Sequence, residues 1–125
     1  MGIFEEKMAT EVVDIAFKIH KSLGPGLLES VYEKCFVESL KVRGINFVKQ
    51  REIDIEFEGI RVERALRIDL LIENCIIVEL KAQVEHKPVW EAQLLSYMRL
   101  TGVRIGFIIN FHVPLIKDGI KRKVL

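Results

Sequence analysis

Between Arg67 and Ala82 the chain reads RIDLLIENCIIVELKA, an aliphatic run interrupted by Asp69, Glu79 and Lys81. Two carboxylates brought together on a rigid strand bind a hard divalent cation such as Mg²⁺ or Mn²⁺ through oxygen and leave coordination positions for water and phosphate. The bound cation lowers the pKa of water and neutralises charge on a phosphorane-like transition state. A neighbouring ammonium stabilises that charge or positions the attacking water. That is the chemistry of phosphodiester hydrolysis. The plainer alternative is an ordinary cross-strand pair on a solvated face, but Glu79 and Lys81 lie in Ile76-Ile77-Val78-Glu79-Leu80-Lys81-Ala82, a run that otherwise belongs in a core. Such residues are rarely buried there unless paired or functional.

Whether the three groups meet depends on register. Glu79 and Lys81 are two apart on one strand and share a face. Asp69 opposes Glu79 only if an odd number of residues joins the strands. A three-residue connection, Glu73-Asn74-Cys75, sets Ile72 opposite Ile76 and puts all three charges on one face. A tight two-residue turn at Glu73-Asn74 would pair Asp69 with Val78 and separate the carboxylates.

The elements that must hold this hairpin are legible on either side of it. From Glu5 to Leu23, Met8, Val12, Ile15, Ala16, Ile19 and Leu23 recur at three- and four-residue steps, one face of an amphipathic helix. Leu23-Gly24-Pro25-Gly26 breaks it. A second helix is expected over Leu27 to Val42, with Leu28, Val31, Tyr32, Cys35, Phe36 and Leu40 as its buried stripe and Gly44 past its end. The period then falls to two: Ile53, Ile55 and Phe57 alternate with acidic residues, and Glu58-Gly59 turns the chain back through Ile60 and Val62. The hairpin strands, apolar on both faces, belong at the centre of a sheet. Pro88 opens a third helix that Gly102 stops after Thr101, and residues 104–111, RIGFIINF, form a further buried strand. The order is α-α-β-β-β-α-β in one α/β domain spanning residues 1–125, with a basic tail, Lys117 to Lys123, expected to fray.

Composition agrees with a single soluble unit. The chain has 125 residues, half of them hydrophobic and 30% charged, with a formal net charge of +1. Near-neutrality argues against a non-specific, histone-like coat on nucleic acid but permits a local basic groove. Cys35 and Cys75 have no paired spacing and read as reduced core thiols. The N-terminus lacks the pattern of a signal peptide and no apolar stretch is long enough to span a bilayer, which points to a cytoplasmic protein.

The hairpin and its neighbours together resemble the PD-(D/E)xK nuclease superfamily, whose core has a helix, a three-stranded meander bearing Asp and Glu-x-Lys, a crossover helix and a final strand. In detail the chain is similar to the small bacterial and archaeal GxxExxY proteins, through Gly26-Leu27-Leu28-Glu29-Ser30-Val31-Tyr32, RIDLLIENCIIVELKA and the helix EAQLLSYMRLTG. The resemblance extends over about residues 8–112. It implies a restriction-endonuclease-like α/β/α sandwich with a central mixed sheet, acting as a Mg²⁺- or Mn²⁺-dependent nuclease on nucleic acid, DNA in the first instance. It further implies Asp69 and Glu79 as metal ligands, Lys81 as the catalytic lysine, and Glu29 as a helix-borne acid facing the metal directly or through water. Tyr32 shares the Glu29 face. Gln93 and Tyr97 match a Q-xxx-Y pattern of RecB-like nucleases. The proline that gives the superfamily its name is replaced by Ile68.

Read without the resemblance, Glu29 complements a helix dipole, Tyr32 packs, Gln93 and Tyr97 are an ordinary i, i+4 pair, and Arg67 either contacts phosphate, pairs with Glu79 or is solvated. His20, His86 and His112 share no zinc-ligand spacing. Trp90 reads as core. Lys49, Arg51, Arg61, Arg64 and Arg104 are candidates for a nucleic-acid track among acidic neighbours. A chain of this size has no separate recognition domain, and a homodimer would bring two sites to two strands. The rival to the nuclease is a non-catalytic nucleic-acid-binding or accessory module that keeps the fold.

Overall fold

The apolar stripe of the first helix and that of the second bury against one side of a sheet, and the third helix covers the other. In the computed structural model, which describes residues 2–125, α1 (Ile3–Leu23) and α2 (Glu29–Val42) precede β1 (Phe47–Phe57), β2 (Ile60–Ile72) and β3 (Ile76–Lys81). After them come α3 (Pro88–Thr101), β4 (Ile105–Asn110), a single turn α4 (Ile116–Gly119) and β5 (Ile120–Val124). The sheet order is β1-β2-β3-β4-β5, antiparallel except for β3 and β4. Parallel strands need a crossover, and α3 supplies it.

Two cores result. Met8, Val12, Ile15, Ile19, Tyr32, Phe36 and Leu40 meet Leu70, Ile72, Val78, Leu80, Phe107 and Ile109 on the α1/α2 side. Trp90, Leu94, Tyr97 and Met98 meet Ile68, Ile77 and Ile108 on the α3 side. This is an α/β/α sandwich with a mixed sheet. A Cβ on Gly106 would stand 2.8 Å from both Leu94 Cδ1 and Met98 Sδ, so a bare backbone at that position lets α3 lie directly on β4. At the far end of α2, Arg43 reaches Glu11 and, at 2.7 Å, Asp14 of α1, which fixes the two helices against each other.

Three expectations need correction. The second helix begins at Glu29, and Leu28 stays extended as its N-cap. Leu28 and Val31 are exposed, and the buried stripe is Tyr32, Phe36, Val37 and Leu40. Leu28 is exposed because it lies outside the helix in extended backbone, while Tyr32, on the face that turns inward, finds the polar partners described below. The basic tail does not fray: Ile116 is buried, Ile120 packs on the core, and β5 pairs with β4 from Ile109↔Ile120 to Ile105↔Val124. Every residue of β4 is buried, and without β5 its backbone would be an open edge. Gly119 allows the return, since a Cβ there would lie 2.1 Å from the Asn110 carbonyl oxygen.

The outer half of the β1-β2 hairpin leaves the sandwich as a two-stranded ribbon. Asp54 organises its bulge by accepting from the Arg64 N–H at 2.8 Å and the Arg61 guanidinium at 2.6 Å. Arg64 also approaches Glu52 at 3.6 Å. Arg61 and Arg64 thus meet acidic partners on the ribbon, which dilutes their charge in the basic track read from the sequence.

Candidate active site on the central hairpin

Odd parity at the turn is what brings the carboxylates together. Ile72 opposes Ile76, Leu71 opposes Ile77 and Leu70 opposes Val78, the register in which Asp69 faces Glu79. Glu73 and Asn74 both take left-handed backbone angles (φ 50° and 54°), and the Cys75 N–H donates to the Ile72 carbonyl at 2.9 Å. Cys75 is the third residue of the connection. Asparagine tolerates that conformation well and glutamate less so, which places mild strain at Glu73.

Beyond Leu70 and Val78 the backbone ladder gives way to side chains. The Asp69 N–H donates to Glu79 Oε2 at 2.8 Å, and the Leu80 N–H donates to Asp69 Oδ2 at 2.9 Å. Each carboxylate therefore sits between the strands and satisfies a backbone donor of the strand opposite. The alternation of β2 also breaks here: Ile68 packs on the α3 side and Leu70 on the α1/α2 side, although they are two apart. On β1, Gln50 lies at the same level, between Lys49↔Leu70 and Arg51↔Ile68, with a positive φ of 52°. Its side-chain amide donates to the Glu33 carboxylate of α2 at 3.1 and 3.3 Å.

Glu79 is only 6% exposed. Burial, and then the nearby charge of Asp69, push its carboxyl up to about 8, against the smaller opposing effects of the Asp69 N–H and Lys81. Glu29, in the exposed first turn of α2, is raised by partial desolvation and then by Asp69, while Lys81 lowers it. Three carboxylates and one ammonium thus share a field at the hairpin. Tyr97 is buried on the α3 side, and its hydroxyl is raised by desolvation and then by Glu79 and Asp69, which sets it within the same field.

Glu29 owes its place to the loop before α2. Tyr32, fully buried, stacks on Phe111 with ring centroids 4.4 Å apart and planes 3° from parallel. Its hydroxyl donates to the Gly24 carbonyl at 2.6 Å and accepts from the Leu27 N–H at 3.2 Å. Gly26, between them, has φ +101°, a conformation that L side chains rarely adopt. The three named positions of the Gly26-x-x-Glu29-x-x-Tyr32 pattern therefore form one device: a left-handed turn, the acid that follows it, and the tyrosine that ties the turn down.

The Lys81 ammonium lies over the Trp90 ring, 5.3 Å from its centroid. Among the described residues it forms no ion pair within 4.0 Å. Gln93, one turn before Tyr97, is exposed and makes no side-chain hydrogen bond among the described residues. Arg67 is exposed opposite Glu52, and no ion pair joins it to Glu79. Asp69, Glu79, Lys81, Glu29 and Tyr97, all singled out in the sequence, lie within one electrostatic field, and the sequence does not point to Gln50 or to the contact made by Trp90. No sequence signal marks Gln50. Trp90 could have been suspected from its place in the first turn of the helix that follows β3.

The donor set suits a hard cation. Asp69 Oδ2 and Glu79 Oε2 are used by backbone N–H groups, and among the described residues Oδ1 and Oε1 accept no hydrogen bond, which leaves them for a cation. Mg²⁺ is commonly held by one or two carboxylates, with water completing its shell. Among the described residues no group of three or more His, Cys, Asp or Glu forms a metal cage, so Glu29 stands outside direct three-ligand geometry. Among the described residues no helix is long and apolar enough to cross a membrane.

Residues 6–123 match the family model of the PD-(D/E)XK nuclease superfamily. No curated protein and no solved structure matches the chain significantly.

Proposed function

This chain belongs to the PD-(D/E)XK nuclease superfamily, and from that membership and the hairpin geometry we propose that it is a Mg²⁺- or Mn²⁺-dependent nuclease of the GxxExxY type, acting on DNA. The observation that carries the reading is the convergence of Asp69 and Glu79, each with one oxygen fixed by a backbone N–H and the other without a hydrogen-bond donor among the described residues. Asp69 and Glu79 would hold the cation, and Glu29 would serve it through water. A divalent cation bound there supplies an activated water and offsets charge on the phosphate. Lys81 presents its ammonium to the non-bridging phosphate oxygens or to the attacking water. Burial keeps the carboxylate pair in a low-dielectric setting, where fixed charge acts more strongly than in water. Lys49, Arg51 and Arg104 are candidates for steering the backbone of the substrate.

A second reading, a non-catalytic nucleic-acid-binding or accessory module, is favoured by one observation: burial and the neighbouring Asp69 charge raise the Glu79 carboxyl toward its protonated form, in which the hairpin can persist without a cation. Incubation with Mn²⁺ and labelled linear, circular and single-stranded DNA and RNA separates the two. The nuclease reading expects cleavage that chelation stops and Asp69→Ala abolishes. Nucleic-acid binding with no cleavage under any of these conditions would favour the module. Sedimentation of the same samples tests the homodimer.

A further inference from the structure

Lys81 and Glu79 occupy the same face of β3, two residues apart, beside a second carboxylate at Asp69. In so dry a setting an ammonium should close onto the carboxylates, yet its nitrogen stands over the Trp90 ring, 5.3 Å from the centroid. That distance is within the range of a cation-π contact. We propose that Trp90 is a positioning residue that holds the Lys81 ammonium off the Asp69-Glu79 pair and so keeps the pair open to a divalent cation. The proposal rests on the metal-dependent reading of the site.

The ring is itself anchored. Trp90 is 6% exposed and packs within the α3-side core. The His86 ring meets it edge-on, with centroids 5.3 Å apart and planes at 88°. His86 Nε2 lies 2.7 Å from Glu91 Oε2, and the Lys123 ammonium donates to Glu91 Oε1 at 2.6 Å. A chain of contacts therefore runs from β5 through Glu91 and His86 to the indole. Without the ring, Lys81 would compete with the cation for the same two carboxylates.

Calorimetric titration of the full chain with Mn²⁺ tests this without requiring cleavage. Trp90→Leu should weaken Mn²⁺ binding by about tenfold, the scale of a desolvated cation-π contact. Trp90→Phe, which keeps an aromatic face, should stay near wild type. Trp90→Leu combined with Lys81→Met should return to the affinity of Lys81→Met alone, because the competitor is gone. In the wild-type protein the Lys81 ε-methylene protons should resonate upfield under the indole, and this measurement does not depend on how well any variant folds. Wild-type affinity in Trp90→Leu, a double variant as weak as Trp90→Leu, or unshifted Lys81 methylenes would each overturn the proposal. A wild-type protein that binds no Mn²⁺ while the Lys81 methylenes remain shifted would instead sink the metal-site reading, and the proposal with it.

Discussion

Asp69 is tied to the opposite strand twice, through unlike groups: its N–H donates to the Glu79 carboxylate at 2.8 Å, and its own carboxylate accepts from the Leu80 N–H at 2.9 Å. An ordinary antiparallel pair would place carbonyl oxygens at those positions. Substituting side-chain oxygens gives each carboxylate a fixed orientation, while two backbone donors that would otherwise be lost are satisfied. The site is therefore built into the ladder itself.

Glu79→Gln keeps an acceptor for the Asp69 N–H and removes the buried charge. The variant should melt at or above the wild-type temperature at pH 8 while losing at least about 100-fold in metal-dependent cleavage. Thermal denaturation and cleavage assays on one preparation check both. Retained activity would exclude Glu79 as a metal ligand.

The raised Glu79 carboxyl makes stability depend on pH with a definite sign. Its ordinary value is 4.5 and its folded value about 8, so between these the native state holds a proton that the unfolded state has released. Stability from this group is complete below about pH 4.5 and is lost as pH rises toward 8, by on the order of a few kcal/mol. Urea melts across pH 5 to 8.5 should show the decline, and Glu79→Gln should flatten it. Mn²⁺ should reverse the decline at the alkaline end, because the cation replaces the proton, and its uptake at pH 7 should release protons to the buffer.

Tyr32→Phe preserves the stack on Phe111 but leaves the Gly24 carbonyl and the Leu27 N–H without their partner. A loss of about 1 to 2 kcal/mol in urea unfolding is expected. Because the loop sets the start of α2, cleavage should fall by more than the unfolded fraction explains. An activity loss matched by Glu29→Gln, and not deepened when the two changes are combined, would show that Tyr32 acts through Glu29.

Deleting residues 116–125 removes β5 and the Ile116 anchor, exposes the edge of a wholly buried strand, and breaks the Arg122 contact with Glu6 at 2.7 Å. Burying one aliphatic side chain is worth about 1.5 to 3 kcal/mol. The shortened chain should therefore unfold or aggregate under conditions where the full chain is monodisperse, as light scattering would report.

The legible parts of this protein are those carried by period and parity. Met8 to Ile19 announces α1 by spacing alone, and the three-residue connection at Glu73-Asn74-Cys75 follows from asking what register would let Asp69 face Glu79. The tail was misread because Ile120-Lys121-Arg122-Lys123-Val124 has too few apolar residues to signal a strand; its pairing depends on the β4 edge, which is a tertiary fact. Leu28 and Tyr32 differ for a similar reason. Hydrophobic spacing favours both, but the loop keeps Leu28 extended ahead of the first helical turn, while the same loop offers partners to the Tyr32 hydroxyl. Gln50 was invisible because a left-handed residue inside a strand leaves no mark in composition.

The odd count of residues in the hairpin turn carries a genetic consequence. A one-codon deletion at Asn74 would spare every residue of the site, yet it would favour the two-residue turn that sets Asp69 opposite Val78. Such an allele would read as intact in any comparison of active-site residues while encoding a protein unable to gather them. Among descendants of this gene, the length of the Glu73-Asn74-Cys75 segment is the trait to inspect first when sorting working copies from silent ones.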